Sequence, residues 1–103
     1  MTMFRIPTYD IVLWYFLKPE TEKLKNRAIV LAEAFPYKTT AYNGVHNIHW
    51  GTENESEAIA IFERLKLCAT NPNVLVLRLI SSRNDFEPVT YKDVRQSLKY
   101  YWE

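Results

Sequence analysis

Hydrophobic and polar positions in this chain switch between a period of two and a period near 3.6, and each switch marks a predicted element. The first apolar run, Tyr9-Asp10-Ile11-Val12-Leu13-Trp14-Tyr15-Phe16-Leu17, carries one charge and is rich in β-branched and aromatic side chains. Such a run predicts a strand with both faces covered. Lys18-Pro19 ends it. Proline suits the first turn of a helix, where its missing N–H costs nothing, and Glu20 and Glu22 complement the helix dipole there. Leu24, Ala28, Leu31 and Phe35 then recur at helical spacing, and Pro36 is the predicted stop.

Residues 37–51 change character. Thr39, Thr40, Tyr42, Val45, Ile48 and Trp50 favour extended backbone, and Asn43-Gly44 between them is a strong hairpin signal. A two-residue turn sets Tyr42 opposite Val45, Thr40 opposite Asn47 and Lys38 opposite His49. Thr52 and Glu55 suggest a capping box, with Asn54 or Ser56 as competing caps, before a helix buried through Ala58, Ile61, Phe62, Leu65 and Cys68 or Ala69. After the turn Asn71-Pro72-Asn73, Val74–Ile80 reads as a second apolar strand. A polar loop covers residues 81–88. Thr90 and Asp93, followed by the stripe Tyr91, Val94, Leu98 and Tyr101, predict a short C-terminal helix.

Strand, helix, hairpin, helix, strand is the split βαβ order of the ferredoxin-like fold. The expectation is one α+β domain over residues 1–103: ferredoxin-like βαββαβ, a four-stranded antiparallel sheet with two helices on one face and an extra C-terminal helix. Period two sorts each strand into faces. Arg78 and Asp10 belong away from the helices. Their sets, Val74, Val76, Arg78 and Ile80 with Asp10, Val12, Trp14 and Phe16, therefore define a helix-free face, bordered by Tyr42, Asn47 and His49. Leu75, Leu77 and Leu79 are assigned to the helix side. An exposed apolar patch of this kind marks an interface or ligand site unless the C-terminal helix folds across it.

Composition narrows the classes. The chain has 103 residues, is 48% hydrophobic and has two glycines, which suits one folded domain rather than a disordered segment. A net charge of +1 gives no electrostatic footprint for nucleic acid or an anionic membrane. The RNA-recognition module shares this strand order, but Gly44–Trp50 lacks its basic-Gly-aromatic signature. No apolar run is long enough to span a bilayer, and Met1–Pro7 lacks the apolar stretch of a signal peptide. Cys68 is the single cysteine, so no internal disulfide is expected and the cytoplasm is the default compartment. Asn54-Glu55-Ser56 matches a glycosylation acceptor, which carries no weight without a secretion signal.

Candidate chemistry is sparse. His46 and His49, three apart on a strand, face opposite sides and cannot share an ion, so no metal is expected. His46 reads as a satisfied histidine near the core edge. Cys68 on an apolar helix face reads as packing. Ser81-Ser82 lacks a nucleophile elbow, and two glycines cannot form a phosphate cradle. No catalytic residue and no cofactor are expected.

The leading expectation is a small non-catalytic protein-binding module of inhibitor, immunity or regulatory type. It would dock through the open sheet face or an edge strand, onto a protein partner or a second copy in a homodimer. Its candidate interface is Val12, Trp14, Phe16, Tyr42, Val74, Val76, Arg78 and Ile80. The alternative is a dimeric α+β barrel, a small-molecule binder or enzyme with a cavity between two sheets, in which Tyr42, Asn47, His49 and Arg78 are candidate ligand-binding groups.

Overall fold

A computed structural model of the chain describes residues 6–94. The elements run β1 (Tyr9–Phe16), a 3-10 turn (Pro19–Thr21), α1 (Leu24–Leu31), β2 (Tyr37–Tyr42), β3 (Val45–Thr52), α2 (Glu55–Ala69), β4 (Val74–Ser81) and β5 (Val89–Asp93). The five strands form one antiparallel sheet in the order β2-β3-β1-β4-β5.

This corrects the expected fold. The sheet has five strands rather than the four of the ferredoxin-like assignment, and the segment expected to open a C-terminal helix is strand β5. Val89, Thr90 and Tyr91 fit a pleated surface, and pairing with β4 satisfies the backbone of what would otherwise be an edge. Lys92 adds a reason specific to this chain. Opposite Leu77 on the strand, its Nζ reaches the carbonyls of Ala69 and Asn71 at 3.4 and 3.2 Å and so caps the end of α2. The remaining stripe residues, Leu98 and Tyr101, lie outside the described residues. The structure holds one chain and gives no support to the expected homodimer.

The Asn43-Gly44 hairpin has the expected register, Tyr42 opposite Val45 through Tyr37 opposite Trp50. Both turn residues adopt positive φ, 50° and 75°. Helix α1 ends at Leu31, earlier than Pro36, because Glu33 and Ala34 take left-handed backbone at φ 54° and 57°. Helix α2 starts at Asn54, whose side chain accepts the Glu57 N–H at 3.0 Å, so Asn54 is the cap that prevails.

The core lies between the sheet and the two helices. Ile11, Leu13 and Tyr15 of β1, Ile48 and Trp50 of β3, and Val74, Leu77 and Leu79 of β4 meet Leu24 and Ala28 of α1 and Ala58, Ile61, Phe62, Leu65, Cys68 and Ala69 of α2. A register shift between Trp14 and Tyr15 interrupts the β1–β4 ladder: Trp14 pairs with Val76 and Tyr15 with Val74, leaving Leu75 as the extra residue. The bulge turns Val74 into the helix-side core and Leu75 onto the other face, opposite to their period-two assignments. No helix among the described residues is long and apolar enough to cross a membrane.

Candidate functional site

The helix-free face is built from the alternate residues of β1. Val12, Trp14 and Phe16 are half-buried and pack with Val45, Leu75, Val76 and Val94 into a second apolar cluster. Leu75 and Val76 are 2% and 1% exposed, so the centre of this face is shielded rather than an open apolar patch. Ile80, opposite Asp10, is half-buried, and Tyr42 at the hairpin end is exposed. Of the candidate interface residues, the structure therefore gathers Val12, Trp14, Phe16 and Val76 into one cluster and removes Val74 to the core. It adds Leu75, which no sequence signal marks, because a bulge is a property of two strands together.

The candidate ligand-binding set does not converge. Val12 lies between His49 and Arg78 in the sheet, pairing with one on each side. Arg78 Nε donates to Thr90 Oγ1 at 3.1 Å, toward β5 and away from His49. Asn47 sits opposite Trp14 with its side-chain oxygen buried and without a hydrogen-bond donor. His49 instead turns to β1, where its Nε2–H donates to Asp10 Oδ1 at 2.8 Å. Gly51 faces Asp10 across the ladder, and a Cβ there would come within 3.1 Å of that same oxygen. The pair borders a cleft of about 290 Å³ with Pro36, Tyr37 and Lys38. No cluster of three His, Cys, Asp or Glu groups suited to a metal ion occurs among the described residues.

A second histidine site lies on the helix side. Tyr15, buried, meets His46 with its hydroxyl 2.5 Å from Nδ1, and the rings stand edge to face at 5.2 Å. Burial, and then the nearby Cys68 thiol, push the Tyr15 phenol up to about 12. Burial, and then the Lys25 ammonium, pull His46 below its ordinary value of 6.5. Tyr15 O–H has no other acceptor among the described residues, so the phenol donates to Nδ1 of the neutral imidazole. These two groups open onto a cleft of about 450 Å³ that Leu17, Lys18, Pro19, Thr21, Glu22 and Lys25 complete. Thr21 fixes its rim: the hydroxyl, 2% exposed, donates to Phe16 O at 2.6 Å and accepts Lys18 N–H at 2.9 Å. Cys68 is buried with its thiol donating to Leu65 O, and burial raises its pKa, so it is packing rather than a nucleophile.

The sheet edge at β2 is the remaining feature. All six residues Tyr37–Tyr42 are exposed, and among the described residues β3 is the strand's one partner in the sheet. A two-residue hairpin closes on a hydrogen-bonded pair, here Tyr42 and Val45. By alternation Tyr42, Thr40 and Lys38 bond to β3, and the backbone N–H and C=O groups of Tyr37, Thr39 and Ala41 point outward. Known protein families, curated proteins and solved structures provide no match to this chain.

Proposed function

We propose that this chain is a small non-catalytic protein-binding module that accepts an extended segment of a partner protein along β2. The observation that carries the reading is the fully exposed edge strand with three outward-facing backbone positions. Such an edge is a template for strand addition, and natural edges usually carry proline, a bulge, a charged side chain or cover to prevent it. Among the described residues β2 has no proline, bulge or cover, and Lys38 is its one charged side chain. Lys38, Thr40 and Tyr42 project from β2 to the side of the helix-free face, which gives an added strand side-chain contacts beside its backbone bonds. Lys38 is the edge's one charge and favours a carboxylate opposite it. The cytoplasm is the compartment we infer, supported by a single buried thiol with no disulfide partner.

Thr39→Pro and Thr40→Pro separate edge binding from folding. Proline at 39 removes an outward N–H and spares the hairpin ladder, whereas proline at 40 removes a ladder bond. Peptides selected from a displayed library against the wild-type chain are expected to be extended, to perturb amide resonances along β2, and to lose binding to Thr39→Pro while that variant keeps the wild-type melting temperature. Selected peptides that bind Thr39→Pro as tightly as wild type, or a selection that enriches none, would sink the reading.

A further inference from the structure

A lysine on an open edge resists strand addition, because an uncharged strand takes water from its ammonium and returns nothing. Lys38 is such a lysine, and it selects among partners rather than excluding them all. Resting on the strand-addition reading of β2, we propose that the partner segment carries two consecutive acidic residues alongside Tyr37-Lys38, one carboxylate for Lys38 and its neighbour for Lys25.

The two lysines flank one end of the edge from opposite faces. Lys38 pairs with His49, whose ring meets Asp10 on the helix-free face. Tyr37 pairs with Trp50, which is fully buried in the core beneath the helices, so the Tyr37 ring lies on the helix side. Lys25 of α1 brings its ammonium to 6.0 Å from the centre of that ring. A strand sends successive side chains to opposite faces. Neighbouring residues of an added strand therefore meet Lys38 on one face and the Tyr37–Lys25 pair on the other, at the ~5 Å spacing of cross-strand partners.

Charge is uncompensated on both faces. Among the described residues Lys25 and Lys38 form no ion pair, whereas Arg64, Lys66 and Arg83 each have a carboxylate. Asp10, the acid on Lys38's side, is engaged by His49. Glu22 lines the same cleft as Lys25 without pairing with it. The other end of the edge, Ala41 and Tyr42, carries no charge, and Tyr42 is 71% exposed. An acidic pair thus has one place to sit, which sets the register of the added strand.

Randomised displayed peptides, selected at low salt against the full chain, provide the test. Enriched peptides are expected to carry two adjacent Asp or Glu and to perturb β2 amides in NMR spectra. Lys25→Gln and Lys38→Gln, both outside the core, should each weaken them by about twofold to fivefold, the scale of one exposed charge pair, and high salt should erase the difference. Changing each peptide acid to its amide in turn should couple one acid to Lys38 and the other to Lys25 in double-mutant cycles. Selection against a Lys25→Glu/Lys38→Glu chain should enrich adjacent basic residues instead. Peptides that lose binding to Thr39→Pro yet lack adjacent acids, or whose acids couple to neither lysine, would overturn the acidic pair and leave edge binding standing. Peptides indifferent to Thr39→Pro would overturn strand addition and the acidic pair together.

Discussion

At the scale of single residues, backbone conformation and desolvation decide more than contacts do. Gly44 holds φ at 75°, and a Cβ built there meets nothing within 4 Å. Any loss in Gly44→Val is therefore backbone strain, not a clash. We expect roughly 1–2 kcal/mol of destabilisation, since a β-branched residue is disfavoured at positive φ. In a domain of this size each ~1 kcal/mol lowers the melting temperature by about 4–8 °C, so a calorimetric scan reads the effect directly. An unchanged melting temperature would count against strain at the turn. His46 makes a pH-dependent contribution. Its folded pKa lies below 6.5 through burial and Lys25, with Tyr15 on its other side and Lys18 and Glu22 across the cleft. As pH falls through about 6.5 the unfolded histidine takes up a proton before the folded one does. The unfolded state then binds more protons, and stability declines down to the depressed folded value. Urea midpoints followed from about pH 8 to about pH 5 should fall more steeply for wild type than for His46→Gln. Parallel curves would remove His46 from the account.

Elements differ in how far the sequence reveals them. Helix α2 was legible because its stripe, Ala58, Ile61, Phe62, Leu65, Cys68 and Ala69, is long enough to repeat, and all six are buried. The hairpin was legible because Asn43-Gly44 names its turn type and thereby its register. Strand β5 was not: Thr90, Tyr91, Asp93 and Val94 satisfy a helical spacing as well as an extended one over so short a window. What decides is the unpaired edge of β4 and the α2 carbonyls awaiting Lys92, neither visible along the chain. The bulge at Leu75 likewise arises from pairing and reversed two facing assignments that period two made plain. The candidate site fared similarly. Facing put His49 and Arg78 on one side of the sheet, but lateral spacing across Val12 keeps them apart. The start of α2 gives the element-scale prediction. Asn54 Oδ1 accepts the Glu57 N–H, so Asn54→Ala should cost about 1 kcal/mol, whereas Ser56→Ala, two residues past the cap, should be near neutral. Chemical denaturation of the two variants checks this, and equal losses would mean that the cap is shared.

At the scale of the whole molecule, a strand that is apolar on both sides asks what covers its second side. The two helices cover Ile11, Leu13 and Tyr15. Trp14 lies opposite, between Asn47 and Val76, half-buried in a cluster whose other members include Val45, Leu75 and Val94. Leu75 and Val76 are almost fully shielded within the single chain, which makes this cluster part of the monomer's own stability. Trp14→Glu would set a charge against apolar neighbours. A domain of about this size has only ~5–10 kcal/mol of net stability, and such a change removes several kcal/mol of it. Thr39→Pro changes the rim of the same sheet without touching either cluster. The expected pattern is thus a double dissociation: Trp14→Glu lowers the denaturation midpoint strongly, whereas Thr39→Pro leaves it in place and abolishes peptide binding. Equilibrium unfolding and peptide binding measured on both variants decide it. A fully stable Trp14→Glu would show that the helix-free cluster does not support the monomer. Its side chains would then be available to a partner across the sheet face, and the docking surface would move from the β2 edge to the centre of the sheet.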